Sequence, residues 1–142
     1  MSNIKLFVVD NSVLLKPILQ EPEAEIVKKL LYLKDKFEIS ILVPDIFPYE
    51  FFNKLLKGLD PNLAFKAYET LMEKQISVVP LERDLMKICS RLMAKYSKIS
   101  FYDAAYHALA KAYDAELITA DEKYYQLVKK EGNIRLLKDL KL

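Results

Sequence analysis

Four acidic residues of this sequence stand in apolar surroundings. Asp10 ends the run Phe-Val-Val-Asp, Glu50 lies in Pro-Tyr-Glu-Phe-Phe, Asp103 in Phe-Tyr-Asp-Ala-Ala, and Asp121 follows Leu-Ile-Thr-Ala. A buried charge is costly unless it is paired or bound to a metal ion. If these carboxylates share one cleft, they repel one another unless a hard divalent cation neutralises them. Mg²⁺ or Mn²⁺ prefers such oxygen ligands, and the chemistry that this pattern suggests is metal-assisted hydrolysis of phosphodiesters.

Each of these acids also has an ordinary structural interpretation. Asp10 could form an Asx turn after its strand, and Asp121 could be the N-cap of a short helix. Ser100 and Asp103 fit a capping box in which Asp replaces the usual Glu or Gln. Glu50 could lie at the rim of an amphipathic helix. A capped helix start can also present its carboxylate to a metal ion, so the two interpretations of Asp103 are compatible.

Other polar residues could assist the acids. Asn53 lies one helical turn after the second acid and could orient a carboxylate or a water molecule. Lys16 and Lys54 lie near the acidic edge in sequence and could contact phosphates, although lysines on helix faces are usually just solvated. His107 lies one turn after the third acid. A half-exposed helix histidine is the ordinary interpretation, and contact of its imidazole with substrate is the alternative.

The elements that must position these residues alternate between strand and helix. Apolar and β-branched runs predict strands at 4–9, 39–43, 76–80 and 116–120, with a fifth, edge strand at 133–137. Helical spacing predicts helices at about 22–37, 45–57, 61–72, 85–96, 100–113 and 124–128. The second helix is expected to end with Gly58 as its cap, and the third to begin at the N-cap Asp60.

Strands separated by helices imply parallel pairing. We therefore predict one α/β domain over residues 1–142, a three-layer α/β/α sandwich with a central parallel sheet of four to five strands. Asp10 and Asp121 would then both follow strands at their carboxyl ends, which is the edge of an open α/β sheet where ligands bind.

Composition excludes several classes of protein. The 142 residues carry 22 Lys+Arg and 20 Asp+Glu, so bulk charge does not indicate nucleic-acid binding. A single cysteine, Cys89, excludes an intrachain disulfide and a cysteine zinc cluster, and a single histidine excludes a histidine-rich metal site. The apolar runs are too short for a signal peptide or a membrane span. We therefore expect a cytoplasmic protein with no membrane partner.

Together these segments resemble the PIN domain, and most closely the VapC-type toxins of prokaryotic toxin–antitoxin modules. The resemblance covers essentially the whole chain through segments 8–12, 50–55, 100–110 and 117–123, in the order and with the spacing of the family. The Tyr-Asp-Ala and Thr-Ala-Asp segments are its specific part. Asn11 departs mildly from the pattern, since Thr, Ser or Ala is more usual there, and His107 replaces a common aliphatic residue.

The resemblance implies a three-layer α/β/α endoribonuclease that depends on Mg²⁺ or Mn²⁺. By position, Ser12 matches a hydroxyl residue that helps hold the first aspartate, and Thr119 matches a polar residue near the fourth acid. The residues that correspond to the acidic metal site are Asp10, Glu50, Asp103 and Asp121.

The family also implies partners. Its members usually form homodimers, and a small antitoxin inhibits them by placing its tail in the active-site groove. We therefore predict the ribonuclease toxin of a toxin–antitoxin pair, with RNA as substrate. The alternatives are a PIN-like module that binds RNA or protein without cleavage, and a housekeeping nuclease of RNA processing.

Overall fold

A computed structural model describes residues 4–142 and contains five β-strands in this part of the chain. The strands are β1 (Lys5–Val9), β2 (Ile39–Pro44), β3 (Ser77–Val79), β4 (Glu116–Thr119) and β5 (Ile134–Leu136). They form one sheet in the order β3-β2-β1-β4-β5, and every neighbouring pair is parallel. This confirms the predicted sheet, including its edge strand.

Helices fill the connections between the strands and cover the sheet. They are α1 (Asn11–Leu14), α2 (Lys16–Leu19), α3 (Ala24–Asp35), α4 (Phe47–Gly58), α5 (Pro61–Met72), α6 (Arg83–Lys95), α7 (Phe101–Ala112) and α8 (Glu122–Val128). Successive residues Phe7, Val8 and Val9 of the central strand point to opposite faces, yet all three are fully buried. Both faces of the sheet are therefore covered, as the predicted α/β/α sandwich requires.

Local signals at the helix starts explain where several of these helices begin. The Asp60 side chain accepts hydrogen bonds from the backbone N–H groups of Asn62 and Leu63, which confirms the predicted N-cap of α5. Ser100 caps α7 by accepting from the Asp103 N–H at 3.1 Å. Because this cap fixes the first turn of α7, it also places the Asp103 side chain.

Two boundaries differ from the sequence predictions. Gly58 is the last residue of α4 and not its cap, because the chain leaves the helix at Leu59 in an extended conformation. The helix predicted from residue 22 begins at Ala24, because Glu23 adopts a left-handed conformation with φ 71°. The short helices α1 and α2 lie in a segment for which no helix was predicted.

Helix α7 crosses β1, β2 and β4 and forms the centre of one layer. Its residues 104–110 are all buried, as its alanine-rich and nearly all-round apolar sequence predicts. None of the helices within residues 4–142 has the length and apolar character needed to cross a bilayer. The single domain over 1–142 stays a prediction, and its residues 1–3 lie outside the described part.

Candidate active site

The carboxyl ends of β1 and β4 place two predicted acids side by side. The two strands pair in parallel with Val9 opposite Ile118, and the Asp10 N–H donates to the Ile118 carbonyl at 3.4 Å. Asp10 follows β1 directly, and Asp121 follows β4 after one residue. A small cavity at this edge is lined by Asp10, Asp103, Tyr106, Leu117, Asp121 and Tyr124. The structure therefore brings together three of the four acids selected from the sequence.

Two hydroxyl groups hold the Asp10 carboxylate. Ser12 Oγ donates to Oδ1 of Asp10, and Thr119 Oγ1 donates to Oδ2 at 2.5 Å. The same hydroxyls also accept hydrogen bonds from the backbone that follows β4. Ser12 Oγ accepts from the Ala120 N–H at 3.2 Å, and Thr119 Oγ1 accepts from the Asp121 N–H at 3.0 Å. Ser12 and Thr119 thus contact Asp10 and also join the ends of the two strands.

The pKa of the Asp10 carboxyl is raised from its usual value. Removal of the group from water is the main cause, and the negative charge of Asp103 acts in the same direction. The hydrogen bonds from Ser12 and Thr119 oppose this shift but do not cancel it. Asp10 is therefore a carboxylate whose ionised form lacks a neutralising positive charge.

The other two acids of the cavity lie at helix starts and are exposed. Asp121 accepts a hydrogen bond from the Tyr124 N–H at 2.9 Å, which confirms the interpretation of Asp121 as an N-cap. Partial desolvation raises the pKa of Asp103, the charge of Asp121 raises it further, and the charge of Lys54 lowers it. Lys54 therefore lies close enough to the cavity to act on the Asp103 carboxylate.

Glu50 lies beside the cavity and reaches it through Tyr106. The Tyr106 hydroxyl donates to Glu50 Oε1 at 2.9 Å, and the Asn11 amide donates to the same oxygen at 3.1 Å. Asn11 and Tyr106 were not among the residues selected from the sequence. Their positions carried a weak signal, because Asn11 directly follows Asp10 and Tyr106 lies one helical turn after Asp103.

Two of the predicted accessory residues have other surroundings than expected. The Lys16 side chain is 12% exposed and pairs with Glu23 at 3.8 Å, so it is not a free phosphate contact. Asn53 is exposed on α4, and the amide that contacts Glu50 is that of Asn11 instead.

His107 is fully buried, so both sequence interpretations of this residue are wrong. The reason is that α7 is enclosed on every side, and the imidazole has polar partners inside the protein. Its Nε2 lies 2.8 Å from the Gly132 carbonyl and must donate, so Nδ1 accepts from the Tyr124 hydroxyl at 2.9 Å. Burial lowers the pKa of His107 and keeps it neutral. His107 thus supports Tyr124, which lines the acidic cavity.

The donor set of the cavity fits a hard divalent cation in its chemistry. Its acidic groups Asp10, Asp103 and Asp121 offer only oxygen, His107 is engaged elsewhere, and Cys89 is buried in the core. The pKa values of Asp10 and Asp103 are raised mainly by desolvation and in smaller part by a neighbouring carboxylate, and a bound cation would offset both effects. Among residues 4–142, no three Asp, Glu, His or Cys side chains already stand as a complete set of metal ligands.

Comparison with known proteins places this arrangement in a family. The sequence model of the PIN domain family matches residues 7–130 of this chain. No curated protein sequence matches the chain.

Several solved structures share the fold. VapBC2 from Rickettsia felis, bound to a promoter DNA fragment, superposes with a TM-score of 0.72 at 15% identity, over 92% of this chain and 96% of that chain. A toxin–antitoxin complex from Klebsiella pneumoniae superposes with a TM-score of 0.66 at 17% identity, over 96% of this chain and 99% of that chain. VapC20 from Mycobacterium tuberculosis is described as a Sarcin-Ricin loop cleaving toxin. It superposes with a TM-score of 0.65 at 16% identity, over 84% of this chain and 93% of that chain. At these identities the likeness establishes the fold alone.

Proposed function

Because this chain belongs to the PIN domain family, we propose that it is a metal-dependent endoribonuclease, the toxin of a toxin–antitoxin pair. The observation that carries the proposal is the convergence of Asp10, Asp103 and Asp121 on one cavity at the carboxyl ends of β1 and β4. Desolvation, together with the charge of a neighbouring acid, raises the pKa of Asp10 and of Asp103, and a bound cation would offset this cost of ionisation. Phosphodiester hydrolysis is the chemistry that a cation in an all-oxygen site serves best.

In this proposal the acids have different tasks. Asp10, Asp103 and Asp121 would hold Mg²⁺ or Mn²⁺, and Glu50 would act from the side of the site that Tyr106 lines. The bound ion would lower the pKa of a water molecule and stabilise the negative charge on the phosphate. Ser12 and Thr119 keep the Asp10 carboxylate in one orientation, so Asp10 could bind the ion without rearrangement.

Exposed aromatic and basic residues around the acids favour single-stranded RNA as the substrate. Tyr49, next to Glu50, is 79% exposed, and Tyr102, next to Asp103, is 54% exposed. Tyrosines at such positions offer ring faces on which unpaired bases stack, and each stacked base contributes about 1–3 kcal/mol. Lys54 supplies a positive charge near the same acids. The structural similarity to VapC20, a Sarcin-Ricin loop cleaving toxin, supports the same substrate class.

An antitoxin partner is supported by structural neighbours that are described as VapBC or toxin–antitoxin assemblies. The chain also offers a surface for such a partner. An apolar groove runs between α2, α3 and α5, with Lys66 and Lys74 beside it, and it is lined by Leu14, Ile18, Leu31, Leu63 and Leu71. A homodimer, which the family resemblance implies, and a cytoplasmic location, which the short apolar runs suggest, belong to the same proposal.

Cleavage of RNA by the purified protein tests the proposal. We expect Mn²⁺ to support cleavage, excess EDTA to abolish it, and Asp10→Asn or Asp103→Asn to lose it while the circular dichroism spectrum is kept. Glu25→Gln is a matched control, because this carboxylate lies exposed on α3 beside Lys28. Undiminished cleavage in EDTA would contradict the proposal.

Two further outcomes separate the alternatives. RNA binding without any cleavage in Mn²⁺ would favour a PIN-like binding module. Cleavage without growth arrest on expression in a bacterial host would favour a housekeeping nuclease over a toxin.

A further inference from the structure

The Asn11 side chain forms an unusual buried contact with the second acid. Asn11 is 3% exposed, and its Nδ2 donates both to Glu50 Oε1 at 3.1 Å and to the Tyr106 hydroxyl at 2.9 Å. The Tyr106 hydroxyl in turn donates to Glu50 Oε1 at 2.9 Å. Three elements, α1, α4 and α7, therefore meet in a closed triangle of hydrogen bonds around one carboxylate oxygen.

The orientation of the Asn11 amide is informative because it leaves an acceptor unsatisfied. Asn11 Oδ1 is buried and has no hydrogen-bond partner within residues 4–142. Turning the amide over would place Oδ1 where Nδ2 now lies, within reach of the Tyr106 hydroxyl. That exchange would also set a carbonyl oxygen against the Glu50 carboxylate, and two acceptors repel each other. In the observed orientation Nδ2 donates a hydrogen bond to the Glu50 carboxylate, while Oδ1 of the same amide is left without a donor among the described residues.

A purely structural asparagine would be expected to satisfy both ends of its amide. Elsewhere in the chain the Asn133 amide bridges two segments, since its Nδ2 donates to the Ala115 carbonyl at 2.8 Å. Around Glu50, by contrast, both available donors converge on a single acidic oxygen. Their effect is to fix Oε1, and with it the direction in which the other oxygen, Oε2, is presented.

We propose that Asn11 is the positioning residue for Glu50, acting together with Tyr106 to orient its carboxylate toward the cation site. The inference rests on the proposed function, because it takes Glu50 to be part of the acidic metal site. Partners that orient a metal-binding carboxylate typically change metal affinity or activity by about 10–100-fold when they are removed. Neither Asn11 nor Tyr106 needs to touch the cation or the RNA for this effect.

A double-mutant cycle tests the proposal in the full-length protein. Mn²⁺ affinity is measured by the electron paramagnetic resonance signal of the free ion, and kcat and KM are measured on an RNA oligonucleotide. We expect Asn11→Ala to weaken Mn²⁺ binding and lower kcat by about 10-fold with little change in KM. In a Glu50→Gln background, Asn11→Ala should have almost no further effect, because the group that it positions has lost its charge.

Control variants separate positioning from a loss of stability. Tyr106→Phe removes only the hydroxyl, which donates to Glu50 and accepts from Asn11, so it should fold and show the same non-additivity with Glu50→Gln even if Asn11→Ala does not fold. Asn133→Ala removes a bridging amide far from Glu50 in the chain and should lower the melting temperature without changing Mn²⁺ affinity.

The possible outcomes distinguish failure of the positioning role from failure of the nuclease proposal. Effects of Asn11→Ala that are equally large with and without Glu50 would overturn the positioning role while leaving the nuclease proposal intact. Mn²⁺ binding with a non-additive cycle but no RNA cleavage would support the positioning role and contradict the nuclease. Absence of Mn²⁺ binding by the unaltered protein would overturn both.

Discussion

Replacing Thr119 by valine removes one hydroxyl from the point where β1 and β4 end side by side. Thr119 is fully buried, its Oγ1 donates to Asp10 Oδ2 at 2.5 Å, and the same oxygen accepts the Asp121 N–H at 3.0 Å. Valine keeps the shape and the β-branched side chain of threonine, so it suits the strand equally well. The substitution therefore isolates the two hydrogen bonds of the hydroxyl.

The expected loss follows from the types of bond removed. A hydrogen bond to an ionised carboxylate contributes about 1.5–3 kcal/mol, and one between neutral groups contributes about 0.5–1.5 kcal/mol. The methyl group that replaces the hydroxyl offsets about 0.8 kcal/mol through burial. We expect the free energy of unfolding to fall by about 2 kcal/mol, which for a chain of this size lowers the melting temperature by about 6 °C.

Thermal and urea unfolding in EDTA at pH 8 measure this effect. Thr119→Ser is the matched control, because it keeps the hydroxyl and loses only a methyl group. The loss should also shrink when Thr119→Val is made in an Asp10→Asn background, since the acceptor is then neutral. A change below about 0.5 kcal/mol at pH 8 would refute the assigned role of Thr119, because the observed bonds to Asp10 and Asp121 would then contribute almost nothing.

Three other substitutions have defined outcomes. The hydrogen bond from Lys111, at 2.7 Å, is the main cause that lowers the pKa of Glu131 to about 2. A carboxyl group whose pKa is lowered by folding stabilises the protein at pH values above its pKa in the unfolded chain. Glu131→Gln should therefore lower the free energy of unfolding by about 1 kcal/mol in urea titrations at pH 7. The loss should become progressively smaller as the pH falls from about 4.5 toward 2. His107→Leu removes the acceptor of the Tyr124 hydroxyl and should cost about 2–3 kcal/mol, yet steady-state kinetics should show KM for RNA unchanged within about twofold, because the imidazole is buried. Lys54→Gln should raise KM for RNA a few-fold at low salt and much less at 0.5 M salt, whereas an equal effect at both would argue against a phosphate contact.

The fold could be predicted from the sequence where its signals are local. Apolar runs rich in β-branched residues gave all five strands, and the side chains of Asp60, Ser100 and Asp121 marked the starts of their helices. The helices α1 and α2 were missed because each has only four residues, too few to show an amphipathic repeat.

The candidate site could be predicted only in part, for a related reason. The rule that parallel strands end at one edge was sufficient to bring Asp10 and Asp121 together. The partners of Glu50 and of His107 come from distant segments, and no repeat in the sequence indicates them. The apolar sequence of α7 predicts a buried helix, but a histidine is usually not fully buried, and nothing in α7 indicates the distant partners that satisfy this imidazole.

The position of β1 in the middle of the sheet has a consequence for the biogenesis of this protein. Its neighbour on one side, β2, is synthesised soon after it, but its other neighbour, β4, follows only after α7. A nascent chain that ends before β4 therefore carries Asp10 and Glu50 but lacks Thr119, which ends β4, and Asp121, which follows it. Pairing of segments so distant in sequence is slow, because loop closure precedes the contacts that stabilise it. The acidic cavity is thus completed late in synthesis, and no amino-terminal fragment lacking β4 contains it.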